Sequence, residues 1–221
     1  MGIVIAIDGP AGAGKSTVAR QLAAQLGFVY IDTGAMYRAV ALWALRQKLP
    51  VTDMHRMEQL AEAASITLHP EANRVSLNGE DITEAIRAPE ISEAASQVAA
   101  IPGVRRSMVA KQREIAAEAN VVMEGRDIGS IVFPEARVKV FLDADSEERT
   151  RRRAGQSGES PSAVAIQIDK RDRRDRTRGE APLTQAPDAL YLDSTGLSIE
   201  QVVEALLKLV RSRMTNGKSY H

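Results

Sequence analysis

The 221-residue chain has no cysteine, which excludes disulfides, thiolate zinc sites, iron–sulfur clusters and thiol nucleophiles. Aromatic residues are only 4%, which argues against a base-stacking platform for single strands. Neither sign of charge prevails. Lys plus Arg number 29 and Asp plus Glu number 29, so no chain-wide basic footprint for nucleic acid or anionic membrane exists. No run of about 18 apolar residues is present to span a membrane. The start, Met1-Gly2 and then Ile3–Ile7, lacks the basic and long apolar regions of a signal peptide, and Ala6 breaks the N-myristoylation pattern. A cytoplasmic protein with no membrane partner is expected.

Hydrophobic residues at 44% and charged residues at 26% fit a globular chain, and the length fits one domain, 1–221. Ile3–Ile7 is an apolar run of β-formers and reads as a strand buried on both faces. A helix from Lys15 follows, with Gly27 as its stop. Phe28–Ile31 is a second short strand, and Asp32-Thr33 can cap a helix over about Gly34–Gln47. Met54–Ala64 looks helical. Ile66–Leu68 and Val75–Leu77 look like strands, with Asn78-Gly79 turning into a return strand at Asp81-Ile82-Thr83. Helices are expected over about Pro89–Ala100 and Pro102–Ala119, and buried strands at Val121–Met123 and Val138–Leu142. Ser146 is placed to cap a helix through Arg153, Gly155–Pro161 reads as a loop, and Ser162–Ile168 as a helix leading into a charge run. Ala189–Leu192 is a last strand. Ser198 and Gln201 form a capping box for a helix over about Ile199–Met214, and Thr215–His221 should fray. Strands alternating with helices predict an α/β fold with a central parallel sheet.

Gly9-Pro10-Ala11-Gly12-Ala13-Gly14-Lys15-Ser16 fits G-x-x-x-x-G-K-S/T between a strand and a helix, the phosphate-loop context. The glycines let backbone N–H groups turn around a phosphate chain, and the helix N-terminus adds partial positive charge. Lys15 is placed to reach the β- and γ-phosphates, and Ser16 to offer its hydroxyl to Mg²⁺. The loop implies nucleoside triphosphate binding, but GTPases, ATPase motors and small-molecule kinases all use it. No N-K-x-D pattern for guanine is present, and the chain is short for an oligomeric ATPase core.

Two more clusters follow strands and so fall on the same sheet edge. In Asp32–Arg38, Thr33 and Tyr37 offer hydroxyls, and Arg38 is either a phosphate cation or a surface residue of a capped helix. In Glu124–Gly129, Arg126 supplies a planar fork for phosphate, and Asp127 beside it is either functional or an ion-pair partner. The run from Lys170 carries Arg171, Arg173, Arg174, Arg176 and Arg178 among Asp172 and Asp175. It is either a solvated helix laced with i,i+3 and i,i+4 pairs or an arginine lid for phosphoryl transfer. The preference for Arg over Lys favours the second. Arg149–Glu180 carries 10 basic and 5 acidic residues, whereas Asp53–Ile101 carries 3 and 9, so the zero total hides a basic and an acidic segment.

Taken together, the blocks GPAGAGKST (Gly9–Thr17), DTGAMYR (Asp32–Arg38), ASQVAAIPGVR (Ala95–Arg105), EGRDIG (Glu124–Gly129), VFPEA and VKVFLDA (Val132–Ala144), RDRRDRTR (Arg171–Arg178) and LDSTGLSIEQV (Leu192–Val202) resemble the bacterial cytidylate kinases of the nucleoside-monophosphate kinase family. The resemblance implies a P-loop kinase with a monophosphate-binding insertion at about 66–101 and a mobile lid at about 154–181. ATP would be bound by Gly9, Pro10, Ala11, Gly12, Ala13, Gly14, Lys15, Ser16 and Thr17, with CMP or dCMP as acceptor. By the same resemblance Ser96, Arg105 and Asp127 face cytosine, Arg38, Arg126 and Arg178 hold the CMP phosphate, and Thr33, Arg171 and Asp175 surround the sugar, with Tyr37 nearby. Lys15, Arg126, Arg174, Arg176 and Arg178 would act on the transferring group. Two departures stand out: the lid linker Gly155–Pro161 is short, and Ser130 replaces a common Thr. No heptads are evident, so a monomer is expected. Two other readings are a kinase of a different monophosphate, such as UMP, and an RNA-binding or regulatory P-loop protein that uses the Arg run.

Overall fold

The computed structural model describes residues 2–69 and 72–215. The expected fraying at 216–221 lies outside the described residues. Five parallel strands form the central sheet: β1 (Val4–Asp8), β2 (Val29–Asp32), β6 (Val121–Gly125), β7 (Val138–Asp143) and β8 (Leu190–Asp193), in the order β2-β6-β1-β7-β8. The first β-residues of the chain thus occupy the sheet centre, which explains why β1 is buried throughout. A small antiparallel sheet, β3 (Ile66–His69), β4 (Arg74–Leu77) and β5 (Glu80–Asp81), stands apart from it.

The helices are α1 (Lys15–Leu26), α2 (Thr33–Arg46), α3 (Met54–Ala63), α4 (Pro89–Val98), α5 (Pro102–Glu118), α6 (Ser146–Ser157), α7 (Pro161–Thr177) and α8 (Ile199–Thr215). Their ends follow local chemistry. Gly27 closes α1 at φ 65°, Asp32 caps α2 through the Ala35 N–H at 3.0 Å, and Ser198 and Gln201 exchange the hydrogen bonds of a capping box.

Three expectations need correction. α6 does not stop at Arg153 under a Ser146 cap: Asp145 caps it, accepting from the Glu147 N–H at 2.7 Å. It then runs past Gly155, whose α-carbon faces open space, and ends at Gly158 in the left-handed conformation. The loop is therefore confined to 158–160. The return strand covers only Glu80–Asp81, because Thr83 folds back to hydrogen-bond Asp81 while Ile82 is buried. Two short turns were not foreseen, a 3₁₀ turn at Ala85–Arg87 and a wide π-type turn at Ile128–Val132.

Two large apolar cores result. One lies between α2, α3, α4, α5 and the small sheet, built on Met36, Val40, Met57, Ile82, Val98 and Met108. The other joins β1, β7, α1 and α8 through Ile5, Ile7, Leu22, Leu142 and Leu206. The carboxyl ends of β1, β2 and β6 meet between them, in register Asp8↔Gly125 and Asp32↔Glu124.

Candidate active site

A cleft of about 1010 Å³ opens at that edge. Its walls are the loop before α1, the start of α2, the end of β6, the first turns of α4, and the facing sides of α6 and α7. The loop is shaped by its glycines. A Cβ on Gly9 would stand 2.0 Å from the Leu142 carbonyl oxygen, and Gly14 begins α1 at φ 88°, where an L side chain is strained. Lys15 is buried and donates to the Pro10 carbonyl. Burial brings its pKa down to about 7, helped by Arg126 and opposed by Glu124. The ammonium is thus poorly compensated and suited to an incoming polyanion.

Carboxylates crowd the strand ends. Asp8 accepts the Ile128 and Gly129 N–H groups, both at 2.7 Å, which fastens β1 to the π-type turn, and burial raises its pKa to about 6. Glu124 accepts from the Tyr30 hydroxyl at 2.6 Å and from the Ser16 hydroxyl. Burial, then the neighbouring Asp32 charge, push its pKa up. The Ser16 hydroxyl and the Glu124 carboxylate are hard oxygen donors at the mouth of the loop, a donor set that fits Mg²⁺.

Most of the acceptor candidates are linked to one another near the end of β6. Thr33 donates to the Glu124 carbonyl at 2.7 Å. Arg38 pairs with Asp32 at 2.7 Å and borders the cleft. Arg126 donates to Asp175 at 2.9 Å and to its own Gly125 carbonyl at 3.1 Å. Arg105 pairs with Asp127 and lies over the Tyr37 ring at 5.6 Å. Arg178 approaches Asp127 at 3.5 Å and Asp175 at 3.9 Å, while its Nε donates to the Ala181 carbonyl at 2.6 Å. Ser96 is 4% exposed and its hydroxyl has no hydrogen-bond partner among the described residues; Arg171 Nε and Arg174 Nη1 are also buried without one, and Arg178 Nη2 has only its ion pair with Asp127. Burial, and then Arg126 nearby, lower the Arg171 pKa to about 10. Buried donors of this kind suit an anionic ligand.

Arg176 is not brought to this cluster. On α7 it lies two positions beyond Arg174 and faces an outer hollow with Arg173 and Thr177, exposed to solvent. Two residues on are about 200° round a helix, so the two side chains point away from each other.

Several residues in the site were not singled out from the sequence. Glu93 on α4 binds Arg174 and Lys170, each at 2.9 Å, and bridges α4 to α7. Arg149 and Asp172 join α6 and α7 to the phosphate loop. Arg152 donates to Ser194 at 2.9 Å and to its carbonyl at 2.8 Å, linking α6 to the end of β8. Glu124 had a signal, since it stands next to Arg126 at a strand end. Glu93 had none, because its partner Arg174 is 81 residues away in the chain.

Comparison with known proteins agrees with this architecture. A family model described as Cytidylate kinase matches residues 5–212. The chain is 63% identical over 225 residues to "Cytidylate kinase" of Solibacter usitatus, covering 99% of this chain and 96% of that one. It is 49% identical to the protein of the same name from Desulfitobacterium hafniense, over 96% and 94% of the two chains. Among solved structures, a gluconokinase from Sinorhizobium meliloti is similar in fold, with TM-score 0.50, 16% identity and coverage of 100% and 98%. Carried by a match to nearly its whole length, the chain belongs to the cytidylate kinase family.

Proposed function

We infer that the protein transfers the γ-phosphoryl group of ATP to CMP or dCMP. The observation that carries this reading is the buried Arg105–Asp127–Arg178 cluster, joined through Asp175 to Arg126 on the wall of the cleft that the phosphate loop also lines, together with the buried Ser96 hydroxyl that has no hydrogen-bond partner among the described residues. Cytosine offers an N4 amino donor beside N3 and O2 acceptors. Asp127 can accept from N4, and Arg105 can donate to N3 and O2. Uracil turns an acceptor toward the same carboxylate, which costs about 1–3 kcal/mol or more.

Arg38, Arg126 and Arg178 hold the acceptor phosphate, and Thr33, Tyr37, Arg171 and Asp175 border its nucleoside. A CMP phosphate oxygen attacks the γ-phosphorus in line; the bond from that phosphorus to the β–γ bridging oxygen breaks, and ADP leaves with its electron pair. No general base is required, because the attacking oxygen is already anionic. Gly9–Thr17 cradle the donor phosphates, and Lys15 offsets charge on the β- and γ-oxygens. Ser16, with Glu124 behind it, would hold Mg²⁺, which supplies further neutralisation of those oxygens. Arg174 leaves Glu93 for the transferring group, with Arg171 alongside; the outward Arg176 takes no part.

The remaining assignments follow from this reading. Residues 66–101 serve as the acceptor-binding insertion and 154–181 as the lid, within one domain of a cytoplasmic monomer. The RNA-contact alternative has less to stand on, since Arg173 and Arg174 already hold Asp169 and Glu93. Initial rates with ATP and a panel of nucleoside monophosphates test the assignment. CMP and dCMP should exceed UMP in kcat/KM, and equal values would refute it.

A further inference from the structure

Ala11 of the phosphate loop sits in a socket made by α6 and α7. Its N–H donates to Asp172 Oδ1 at 3.0 Å, and its carbonyl accepts from Arg149 Nη1 at 3.0 Å. The same Arg149 nitrogen pairs with Asp172 Oδ2, while Arg149 Nε donates to the Ala144 carbonyl at 3.1 Å. The Ala11 methyl packs against Val164 and Ile168, with Ala154 at the edge. The loop also lies against the α6 backbone, where a Cβ on Gly12 would come 2.8 Å from the Arg149 carbonyl oxygen. Asp172 and Arg149 are 5% and 9% exposed, so neither is a loose surface charge.

Val164, Ile168 and Asp172 are spaced i, i+4, i+8 and form one stripe of α7, buried along its length. That stripe rests on Ala11. Arg171 borders the cleft, and Arg174, about 160° round the helix from Asp172, holds Glu93, which also borders it. Rotation of α7 about its axis is therefore set where the stripe meets the loop. The N-terminal part is held by apolar contact, which tolerates sliding. Asp172 is the directional end.

We propose that Asp172 and Arg149 are positioning residues for the phosphoryl transfer inferred above: they hold the Ala11 peptide outward and lock the rotation of α7, so that the lid arginines meet the phosphates held by the loop. Neither residue needs to touch substrate. Their effect passes through the Ala11 peptide and through Arg171 and Arg174.

The test compares Asp172→Ala with Asp172→Asn, which keeps an acceptor for the Ala11 N–H, and with Asp169→Asn on the solvent side of the same helix. The principal readout is the ratio of ATP lost to water to ATP transferred to CMP. Partial unfolding lowers both rates together and leaves that ratio unchanged, so a purely structural role would not move it. A lid no longer locked over the loop admits water. Asp172→Ala should raise the ratio by roughly tenfold and lower kcat by roughly 100-fold, as small misplacements do. Asp169→Asn should match wild type. Hydrogen exchange at the Ala11 amide is read in the same proteins, without nucleotide: protection should be lost in Asp172→Ala and kept in Asp172→Asn. If Asp172→Ala does not fold, Arg149→Lys, which keeps the charge but not the two-carbonyl reach, should shift the same ratio. A ratio equal to wild type in the folded variant overturns the proposal, as does an Ala11 amide that remains protected in Asp172→Ala. A wild-type protein that does not phosphorylate CMP would instead refute the kinase reading, while the exchange data would still decide the socket.

Discussion

Lys15 is the residue whose surroundings most constrain the chemistry. Burial places its pKa near 7 in the free protein, far below the usual lysine value. An ATP polyphosphate favours the charged form and raises it again. The free site is thus mostly neutral at pH 8, and binding should take up close to one proton there. ATP affinity should fall as pH rises above about 7. Calorimetry at pH 8 in two buffers of different ionisation enthalpy measures the uptake; Lys15→Ala should abolish it, and an uptake of zero in wild type would remove the inference. Between Arg105 and Arg178, Asp127→Asn exchanges a pure acceptor for an amide that both donates and accepts. The CMP-over-UMP preference in kcat/KM should shrink by roughly 10-fold or more, and an unchanged ratio would take the base-reading role away from Asp127. Residues of this kind were legible because short motifs carry them: Lys15, Ser16, Arg126 and Asp127 each stand at a fixed step from a strand end. Arg174 and Arg176 cannot be told apart within the charge run. The charge run shows which cations are present, but the face each takes depends on what α7 rests upon, and that is Ala11, far away in the chain.

At the scale of elements, α4 and α7 are joined by Glu93, a contact between the acidic and basic segments. Burial alone would raise the Glu93 pKa, but hydrogen bonds from Arg174, Lys170 and Gln97 outweigh it and bring it to about 2. A depressed carboxylate stabilises the folded form fully above its unfolded value near 4.5, and that contribution is lost as pH falls from there through about 2. Because the site is partly exposed, salt also weakens the link. Glu93→Gln should therefore speed amide exchange in α7 while leaving α8 unchanged. Equal exchange in both proteins would mean that the helices are held together by other contacts. Most elements were legible from periodicity and capping signals, as in α1, α2 and α8. α6 was not, because two glycines three residues apart look alike in sequence. Gly155 continues the helix into open space and Gly158 ends it with positive φ. The π-type turn at Ile128–Val132 was equally hidden: its fixing partner, Asp8, is about 120 residues earlier.

For the whole molecule, the sheet core depends on the last helix. Leu206 on α8 is fully buried against the strands. Leu206→Ala should cost about 2–5 kcal/mol in denaturant unfolding, with kcat of the folded fraction nearly unchanged. A loss below about 1 kcal/mol would mean that the site collapses around the missing side chain. The alternation of strands and helices foretold a parallel sheet, but strand order could not be read, since every strand is short and apolar and any could sit at the centre. That β1 does so has a consequence for how the protein is made. The acceptor-side core draws on residues 35–115, one uninterrupted stretch. The other needs both ends of the chain: β1 pairs with β6 and β7, which are synthesised more than 100 residues later. At about 5–20 residues per second, Val4–Asp8 spends on the order of ten seconds as an apolar strand with neither neighbour. During translation the phosphate loop thus emerges well before the strands that support it, while the acceptor side can already be folded.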